Sequence, residues 1–378
     1  MKELTTLLLL GTFCSSSLLG KGKTDSWDIA FSLLQSQTKQ EATVHNTCLS
    51  PLSLQLALAL VDEGASGKTH KEINKLLPAR TDELFATLNG HEALSLANSV
   101  WINQHFAPQV KEGFKQANVQ KYEAEIQALP FDDQAKAIIN GWCKQKTQGL
   151  IPSAIDRLDN RQSMILVNAL HFKADWKLPF RSQRTQDKDF FLSNGTTKRV
   201  PMMDQTSHFE YAESESCQAI CLPYKGNDGA NFAMYIVLPK EGTSLKALLS
   251  TLNRKTWKNF AFHSSKVHLQ LPKWESDFST DLNESVKALG AKRLFTSKAN
   301  FQKISKTDLR VGSINQKTLI RVDEKGTEAA AVTTISMVTT ALPKPEKIYE
   351  MNVNRPFLYI LVEEGKDLPV FIGTQTWE

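Results

Sequence analysis

One stretch near the C-terminal end of this 378-residue chain limits what the chain can fold into more than any other feature. Fifteen residues between Glu328 and Lys344 carry no charge, and no proline occurs from Lys325 to Leu342. Ordinary surface loops are polar and are interrupted by glycine and proline, so this composition is unusual for a loop. The β-branched content after Val332 also argues against an alanine-rich helix.

Strand geometry would give the stretch two different faces, because alternate residues of a strand point to opposite sides. One face begins with Glu328. The other face has no charged side chain and could enter a packed core; it consists of Thr327, Ala329, Ala331, Thr333, Ile335 and Met337. Pro343 and Pro345, which a central strand could not accept, come only after the stretch. Two interpretations remain open on this pattern: a permanent buried strand, and a segment that can be either loop or strand.

The remaining chain predicts a single α+β domain. Its composition, 41% apolar and 22% charged, is that of an ordinary globular protein, and the chain has no linker-like segment or internal repeat. Helices are predicted after a cap at Asp25, from Ser50-Pro51 onward, and over residues 133–148. Strands are predicted over residues 163–172, 231–238, 266–271 and 357–362. The expected architecture is a set of large antiparallel sheets with a helical N-terminal layer.

Residues 1–20 have the pattern of an export signal, which predicts a secreted, extracellular protein. Lys2 precedes an apolar run from Leu4 to Phe13, and small residues follow. Cys14, directly after the run, leaves a lipoprotein signal open, with a lipid anchor at this cysteine in the cell envelope. Phe13 stands where such signals usually have a small residue. A buried first helix is a third interpretation.

The other four cysteines indicate neither a disulfide framework nor a zinc site, because they are few and dispersed: Cys48, Cys143, Cys217 and Cys221. In a strand, the last two would lie about 13 Å apart, whereas a disulfide needs Cα atoms within about 7 Å. The sequence therefore predicts no local bridge between them.

The sequence lacks the motifs of common enzymes and of nucleic-acid binding. It has no G-x-S-x-G, H-E-x-x-H or paired C-x-x-C motif, and its eight histidines are scattered. Residues 64–69 resemble the end of a phosphate-binding loop, but Asp62 stands where that motif needs glycine. The net charge of +5 is spread out rather than clustered into a basic stripe. We expect no catalytic residues, no metal, no cofactor and no nucleic-acid partner.

Several segments, in order along the chain, resemble the serpin family of serine protease inhibitors. Gly326 to Ala331 resembles the hinge of the serpin reactive loop, which is among the most specific signatures of that family. The other matching elements are Asn46 with Ser50, Pro51 and Ser53; Asn168-Ala169 with Phe172-Lys173 and Trp176; Pro201-Met202-Met203; Leu222-Pro223-Tyr224; and Asn354-Arg355-Pro356-Phe357.

This resemblance implies a serpin fold over residues 21–378, with an exposed reactive-centre loop at about residues 324–352. It also implies a monomeric inhibitor, not an enzyme, that traps a serine protease covalently when its loop is cut and inserts into the central sheet. Cysteine proteases are a further target class, and a non-inhibitory carrier or chaperone is the alternative function. The implied hinge is Glu324, Gly326, Thr327, Glu328, Ala329, Ala330 and Ala331, and the implied shutter and breach residues are Asn46, Ser50, Ser53, Asn168, Trp176 and Gln316.

The resemblance also suggests where the protease cuts. The family's bait bond usually follows the seventeenth residue counted from Glu324, which gives Thr340-Ala341. The loop is longer than is typical, so neighbouring bonds remain open at Val338, Thr339 and Leu342. Small and apolar residues suit an elastase-like protease first, and chymotrypsin-like or subtilisin-like ones next. A trypsin-like target is disfavoured because the nearby Lys344 is followed by proline.

Two further expectations concern single side chains. Gln316 stands where the family usually has a histidine that bonds the shutter asparagine. Because a glutamine amide can also donate a hydrogen bond, we expect Gln316 to bond to Asn168 without pH dependence. Asn194 and Asn283 begin N-x-S/T sequences that could carry glycans in a eukaryotic secretory pathway.

Overall fold

The computed structural model describes residues 23–39, 43–226, 231–327 and 346–377. Its helices are α1 (Ser26–Thr38), α2 (Pro51–Asp62), α3 (Gly67–Leu76), α4 (Thr81–Asn89), α5 (Glu112–Tyr122), α6 (Asp133–Lys146), α7 (Leu245–Thr251), α8 (Arg254–Lys258) and α9 (Asn283–Ala288). Its strands are β1 (Thr47–Leu49), β2 (Leu94–Asn103), β3 (Glu125–Leu129), β4 (Met164–Phe172), β5 (Ala174–Asp175), β6 (Gln186–Phe191), β7 (Thr197–Glu213), β8 (Cys217–Pro223), β9 (Phe232–Pro239), β10 (His263–Pro272), β11 (Trp274–Asp281), β12 (Asn315–Val322), β13 (Gly326–Thr327), β14 (Ile348–Asn352), β15 (Phe357–Glu363) and β16 (Leu368–Gln375).

The three predicted helices are confirmed, and each begins at a polar cap. The Asp25 carboxylate accepts a hydrogen bond from the Trp27 N–H at 2.8 Å, and the Ser50 hydroxyl accepts one from the Ser53 N–H at 3.1 Å. The third helix, α6, ends at Lys146, two residues before the predicted end. Within the described ranges, no helix is both long and apolar enough to cross a membrane.

The turn after α2 is a connection between helices, as its sequence indicated. Helix α2 ends at Asp62, and α3 begins at Gly67 with a backbone φ of +58°, so Gly67 starts a helix rather than ending one. The Asp62 carboxylate lies 2.9 Å from Nδ1 of His70. A carboxylate in this position leaves no site for a phosphate group.

The described strands form three sheets. A nine-stranded sheet has the order β1-β16-β15-β9-β8-β7-β10-β14, with β6 also paired to β7. A four-stranded sheet has the order β11-β12-β13-β5, and a three-stranded sheet the order β3-β2-β4. The four predicted strands are confirmed as β4, β9, β10 and β15. Most pairs are antiparallel as expected, but β2 with β3 and β10 with β14 are parallel.

A continuous buried core connects the N-terminal helices to the sheets. Helix α2 packs against both β4 and β16. Its buried side chains surround most of its axis, as expected for a helix covered by sheets. The four cysteines in the described ranges are free and buried, which confirms that Cys217 and Cys221 form no bridge. Burial raises the pKa of the Cys221 thiol to about 12, which keeps it protonated and unreactive.

The two N-x-S/T asparagines differ in their surroundings. Asn194 is exposed in the turn between β6 and β7. The Asn283 amide instead donates to the carbonyl of Gly312 at 3.1 Å and accepts from the N–H of Ile314 at 2.9 Å. A glycan at Asn283 would have to break these bonds, so only Asn194 is presented for modification.

Candidate functional site

The central feature of the site is a gap between two strands. Strand β4 lies at one edge of the three-stranded sheet. A cavity of about 950 Å³ separates the N-terminal part of β4, from Met164 to Ala169, from the start of β12. The first five residues of β4 are only half-buried, although four of them are apolar. Helix α2 forms the floor of the cavity through Ser53, Leu54, Ala57, Leu58 and Val61. Among the described residues, β4 pairs only with β2, and β12 pairs on the side of the cavity only through Val322 with Thr327. The described strands therefore have the shape of a sheet that lacks one strand, over a largely apolar floor.

Two of the three described hinge residues, Gly326 and Thr327, lie at one end of this gap. Gly326 and Thr327 form β13, which pairs antiparallel with β12 through Val322 and with β5 through Asp175 and Ala174. A Cβ atom on Gly326 would lie 2.0 Å from the carbonyl oxygen of Ala174. Only glycine fits this close approach between backbones.

A buried hydrogen bond holds Thr327. Thr327 is 1% exposed, and its hydroxyl oxygen lies 2.7 Å from that of Tyr224. The Tyr224 ring stacks on Trp176 with ring centroids 4.2 Å apart. Complete burial raises the pKa of Tyr224, so its hydroxyl stays neutral. The sequence contained Tyr224 in an element matched to the family but gave no sign of this role.

Backbone hydrogen bonds fix the turn that leads into the hinge. The Trp176 indole N–H donates to the carbonyl of Asp323 at 2.9 Å, and its backbone N–H donates to that of Lys325 at 2.6 Å. The Asp323 carboxylate accepts from the N–H of Lys325 at 2.8 Å. Trp176, one of the predicted breach residues, therefore lies beside the turn that precedes Gly326. Asp323 was not identified from the sequence.

Glu324, the first hinge residue, is tied to the protein body. Its carboxylate lies 2.9 Å from Nζ of Lys273 and accepts a hydrogen bond from the Thr185 hydroxyl at 2.7 Å. Burial acts to raise the pKa of Glu324, but the bonds from Lys273 and Thr185 outweigh it and hold the pKa below its ordinary value. The carboxylate is therefore charged and anchors the N-terminal end of the hinge.

The predicted bond between Gln316 and Asn168 is wrong. The Gln316 amide accepts from the Ser50 N–H and donates to the Ser50 carbonyl, both at 2.9 Å. Asn168 donates to the side-chain carbonyl of Asn98 at 2.9 Å. The gap lies between the strands that carry the two amides, so each bonds to a group on its own side. Gln316 fastens β12 to the start of α2 instead of closing the gap.

The remaining predicted residues are divided between the gap and other places. Ser53 lines the floor, and Ser50 lies just beneath β12 with 0% exposure. Asn46 is not among the residues that line the gap; its side-chain oxygen accepts from the N–H groups of Thr376 and Trp377 at 2.7 and 3.1 Å. Its place in the structure is to hold the C-terminal segment.

Other predicted positions lie outside the described residues: Cys14 at the N-terminus, Glu328, Ala329, Ala330 and Ala331 in the hinge, and Val338, Thr339, Thr340, Ala341 and Leu342 around the bait bond. Among the residues that are described, no group of three or more histidine, cysteine, aspartate or glutamate side chains could hold a metal ion. In the described part of the chain, what the gap offers chemically is strand edges whose backbone N–H and C=O groups have no strand partner, which suits a polypeptide strand.

Comparisons with known proteins agree with this geometry. Residues 25–376 match the family model described as "Serpin (serine protease inhibitor)". Serpin-Z2B of Triticum aestivum is 30% identical over 361 residues, covering 88% of this chain and 90% of its own length. Glia-derived nexin of Rattus norvegicus is 31% identical, covering 87% of this chain and 86% of its own length.

Solved structures give the same result. Cleaved Serpin 42Da has a TM-score of 0.79 at 27% identity, covering 93% of this chain and 97% of its own. The thermophilic serpin Tengpin in the native state has a TM-score of 0.79 at 28% identity, covering 93% and 92%. With a family model that spans nearly the whole chain and these relatives, the chain belongs to the serpin family and has the serpin fold.

Proposed function

We propose that this serpin inhibits serine proteases as a suicide substrate, trapping the protease when the cut loop enters the gap between β4 and β12. Serpins are generally protease inhibitors rather than catalysts. The observation that carries the proposal is that Gly326 and Thr327 pair with strands on both sides, next to a gap that no described strand fills. Insertion would extend a strand that has already started.

The existing register predicts how far the strand can extend. Thr327 pairs with Ala174 in an antiparallel ladder, so each later residue would pair with one residue earlier. Continued to the start of β4, the register brings residue 337 opposite Met164. Along β12 it brings residue 334 opposite Asn315. The ten residues 328–337 would span about 33 Å at strand rise.

The sequence of the inserting segment suits this register. Since Thr327 faces inward, the residues that follow it on the inward face are Ala329, Ala331, Thr333, Ile335 and Met337. None of them carries a charge. They would cover the floor formed by α2. The small residues would lie near Thr327, and the larger ones near Met164 at the start of β4.

The chemical step is ordinary acyl transfer that is interrupted before its end. The protease serine hydroxyl attacks the carbonyl carbon of Thr340, an ester forms, and the peptide bond to Ala341 breaks as its nitrogen takes up a proton. Insertion then pairs backbone groups along both edges of the gap and buries the half-exposed side chains of β4. The protease, still attached by its ester, would be carried to the end of the gap near Met164 before water completes hydrolysis.

Small and apolar residues around residue 340 favour an elastase-like target. The test is to incubate the protein with elastase, chymotrypsin, subtilisin and trypsin, and to look for a complex that survives a denaturing gel. We expect the complex with elastase, and a released fragment that begins at Ala341 by mass spectrometry. Cleavage outside residues 337–343 would contradict this choice of bond.

Melting of the cut molecule separates inhibition from the non-inhibitory alternative. Filling the gap adds a central strand, so the cleaved protein should unfold at a clearly higher temperature than the uncut one. A cleaved protein that melts no higher would indicate a carrier or chaperone in which the loop does not insert.

Export is a second part of the proposal, and it is supported by the sequence of residues 1–20. Sequencing the N-terminus of protein secreted by an expressing cell should show that these residues have been removed. Lipid-modified Cys14 at the new N-terminus would instead indicate attachment to the cell envelope.

A further inference from the structure

Strand β14 is the first described strand after the segment that contains the bait bond. It has five residues and lies at the edge of the nine-stranded sheet, parallel to β10. In the part of the chain that the structure describes, no strand pairs with its outer side. Short, parallel edge strands are weakly held by their backbone bonds alone. Side chains must therefore contribute to keeping β14 in place.

His268 of β10 connects β14 to the sheet interior. Its Nδ1 atom lies 2.7 Å from a carboxylate oxygen of Glu350 on β14, and its Nε2 atom lies 3.0 Å from one of Asp204 on β7. A carboxylate can only accept hydrogen bonds, so both ring nitrogens must carry a proton to make both contacts. The geometry is that of a charged imidazolium joining three adjacent strands.

The surrounding groups favour the charged form. Gln270 donates its side-chain N–H to the same oxygen of Asp204 at 3.0 Å, which fixes that carboxylate. Bonding to Asp204 raises the pKa of His268; burial opposes this, and Glu350 adds to it. The other charged or titratable groups on this face and at its margin are Lys188 of β6, His208 and Glu210 of β7, Lys266 of β10, and Glu346 and Lys347 ahead of β14.

We propose that His268 is the positioning residue that anchors β14, and with it the C-terminal end of the reactive loop, through its simultaneous bonds to Asp204 and Glu350 in the imidazolium form. The consequence for the loop rests on the proposed function, whereas the anchor itself does not. A histidine whose folded pKa is raised contributes stability that is present below its unfolded pKa and lost as the pH rises through the folded one. The anchor is therefore complete at mildly acidic pH and weakens on the alkaline side.

Chain length shows why the anchor matters to an inhibitor. If residues 328–337 entered the gap without cleavage, residues 338–347 would have to run back from the far end of the gap to Ile348, and ten residues reach at most about 36 Å when fully extended. Releasing β14 would add its five residues to this return path. A secure β14 therefore keeps the uncut bait from burying itself, and its loosening shortens the life of the active inhibitor.

The anchor can be measured without a protease, by hydrogen exchange of the backbone amides of residues 348–352 between about pH 6 and pH 9. Exchange rates are corrected for their intrinsic pH dependence and compared with β15 of the same molecule. We expect protection of β14 to fall about tenfold across this range, as for the loss of one charge-assisted bond. In Glu350→Gln, β14 should show at every pH the low protection that the wild type shows at about pH 9.

Two further variants separate positioning from general stability. His268→Lys keeps a positive charge to high pH and should hold β14 with a flat pH profile. His105→Gln replaces an exposed histidine in the turn after β2, away from β14, and should leave the wild-type profile unchanged. A flat profile in the wild type, or wild-type protection at about pH 6 in Glu350→Gln, would overturn the anchor.

The effect on the loop is measured separately, as the rate at which uncut protein loses its capacity to form the covalent complex. We expect this loss to be about tenfold faster at alkaline than at mildly acidic pH, and to be pH-independent in His268→Lys. If no complex forms with any protease, the proposed function fails while the exchange result still decides the anchor. If complexes form but the rate of loss does not follow the exchange profile, the link between anchor and loop is wrong.

Discussion

Replacing Thr327 by arginine is the most direct test of insertion. Thr327 is 1% exposed, it pairs with strands on both sides, and its hydroxyl lies 2.7 Å from that of Tyr224. An arginine at this position would have to bury a charge with no acidic partner or leave the sheet. Burying an unpaired charge costs several kcal/mol, so we expect the hinge to leave.

The size of the effect follows from that cost. If the cost is about 4 kcal/mol and half of it is present in the transition state for insertion, insertion slows by about 30-fold. Hydrolysis of the ester is a reaction of the protease and keeps its rate. The ratio of trapped to released protease should therefore fall about 30-fold, and Thr327→Arg should behave as an ordinary substrate.

The assay titrates a fixed amount of elastase with each variant and compares residual activity with the yield of covalent complex on a denaturing gel. Thr327→Val keeps the shape and burial without the hydroxyl, and Lys325→Arg adds an arginine two residues away without changing the charge. Both should trap much better than Thr327→Arg. Trapping by Thr327→Arg at the wild-type ratio would refute the role assigned to the hinge.

Three other changes follow from the described contacts. Gly326→Ala places a methyl group where there is no space, so it should cost about 1–3 kcal/mol and reduce trapping. Gly113→Ala in α5, where an added methyl group meets no neighbour within 4 Å, should do neither; melting and titration measure both. In urea denaturation, Gln316→Ala and Asn168→Ala should destabilise the uncut protein independently, with a coupling energy below about 0.5 kcal/mol, because the residues bond to different partners; a larger coupling would mean that they interact across the gap. The lowered pKa of Glu324 means that its contribution is present above its ordinary pKa and lost as the pH falls, so the stability lost in Glu324→Gln should shrink on acidification, and a constant difference would contradict the ion pair with Lys273.

Local features of the fold were predictable because their causes are local. Asp25 and Ser50 cap helices since their short side chains reach N–H groups two or three residues ahead. The apolar runs in β4, β9, β10 and β15 likewise predicted strands, with ends differing by a few residues at most. The uncharged face of residues 327–337 was also visible in the sequence, but the pattern alone left a permanent strand and a loop-or-strand segment both open.

The contacts across the gap were not predictable in the same way. Tyr224 and Thr327 are 103 positions apart, and nothing in either residue type indicates that their hydroxyl groups meet. Gln316 was expected to reach Asn168 because it stands where the family usually has a histidine that bonds this asparagine. In the uncut molecule the strands that carry these two residues are separated, and an amide bonds to whichever backbone lies nearest, which is that of Ser50.

The length of β4 has a consequence for how the target of the proposed inhibition could change. The strand begins at Met164, so the register leaves positions beyond about 337 without a partner in the sheet. On insertion, side chains before residue 337 must fit the interior of the protein. Side chains after residue 337 need only fit the binding site of the protease that cuts them. If the protein inhibits as proposed, mutation of a few positions near residue 340 would redirect it to a new protease without altering the residues that insert.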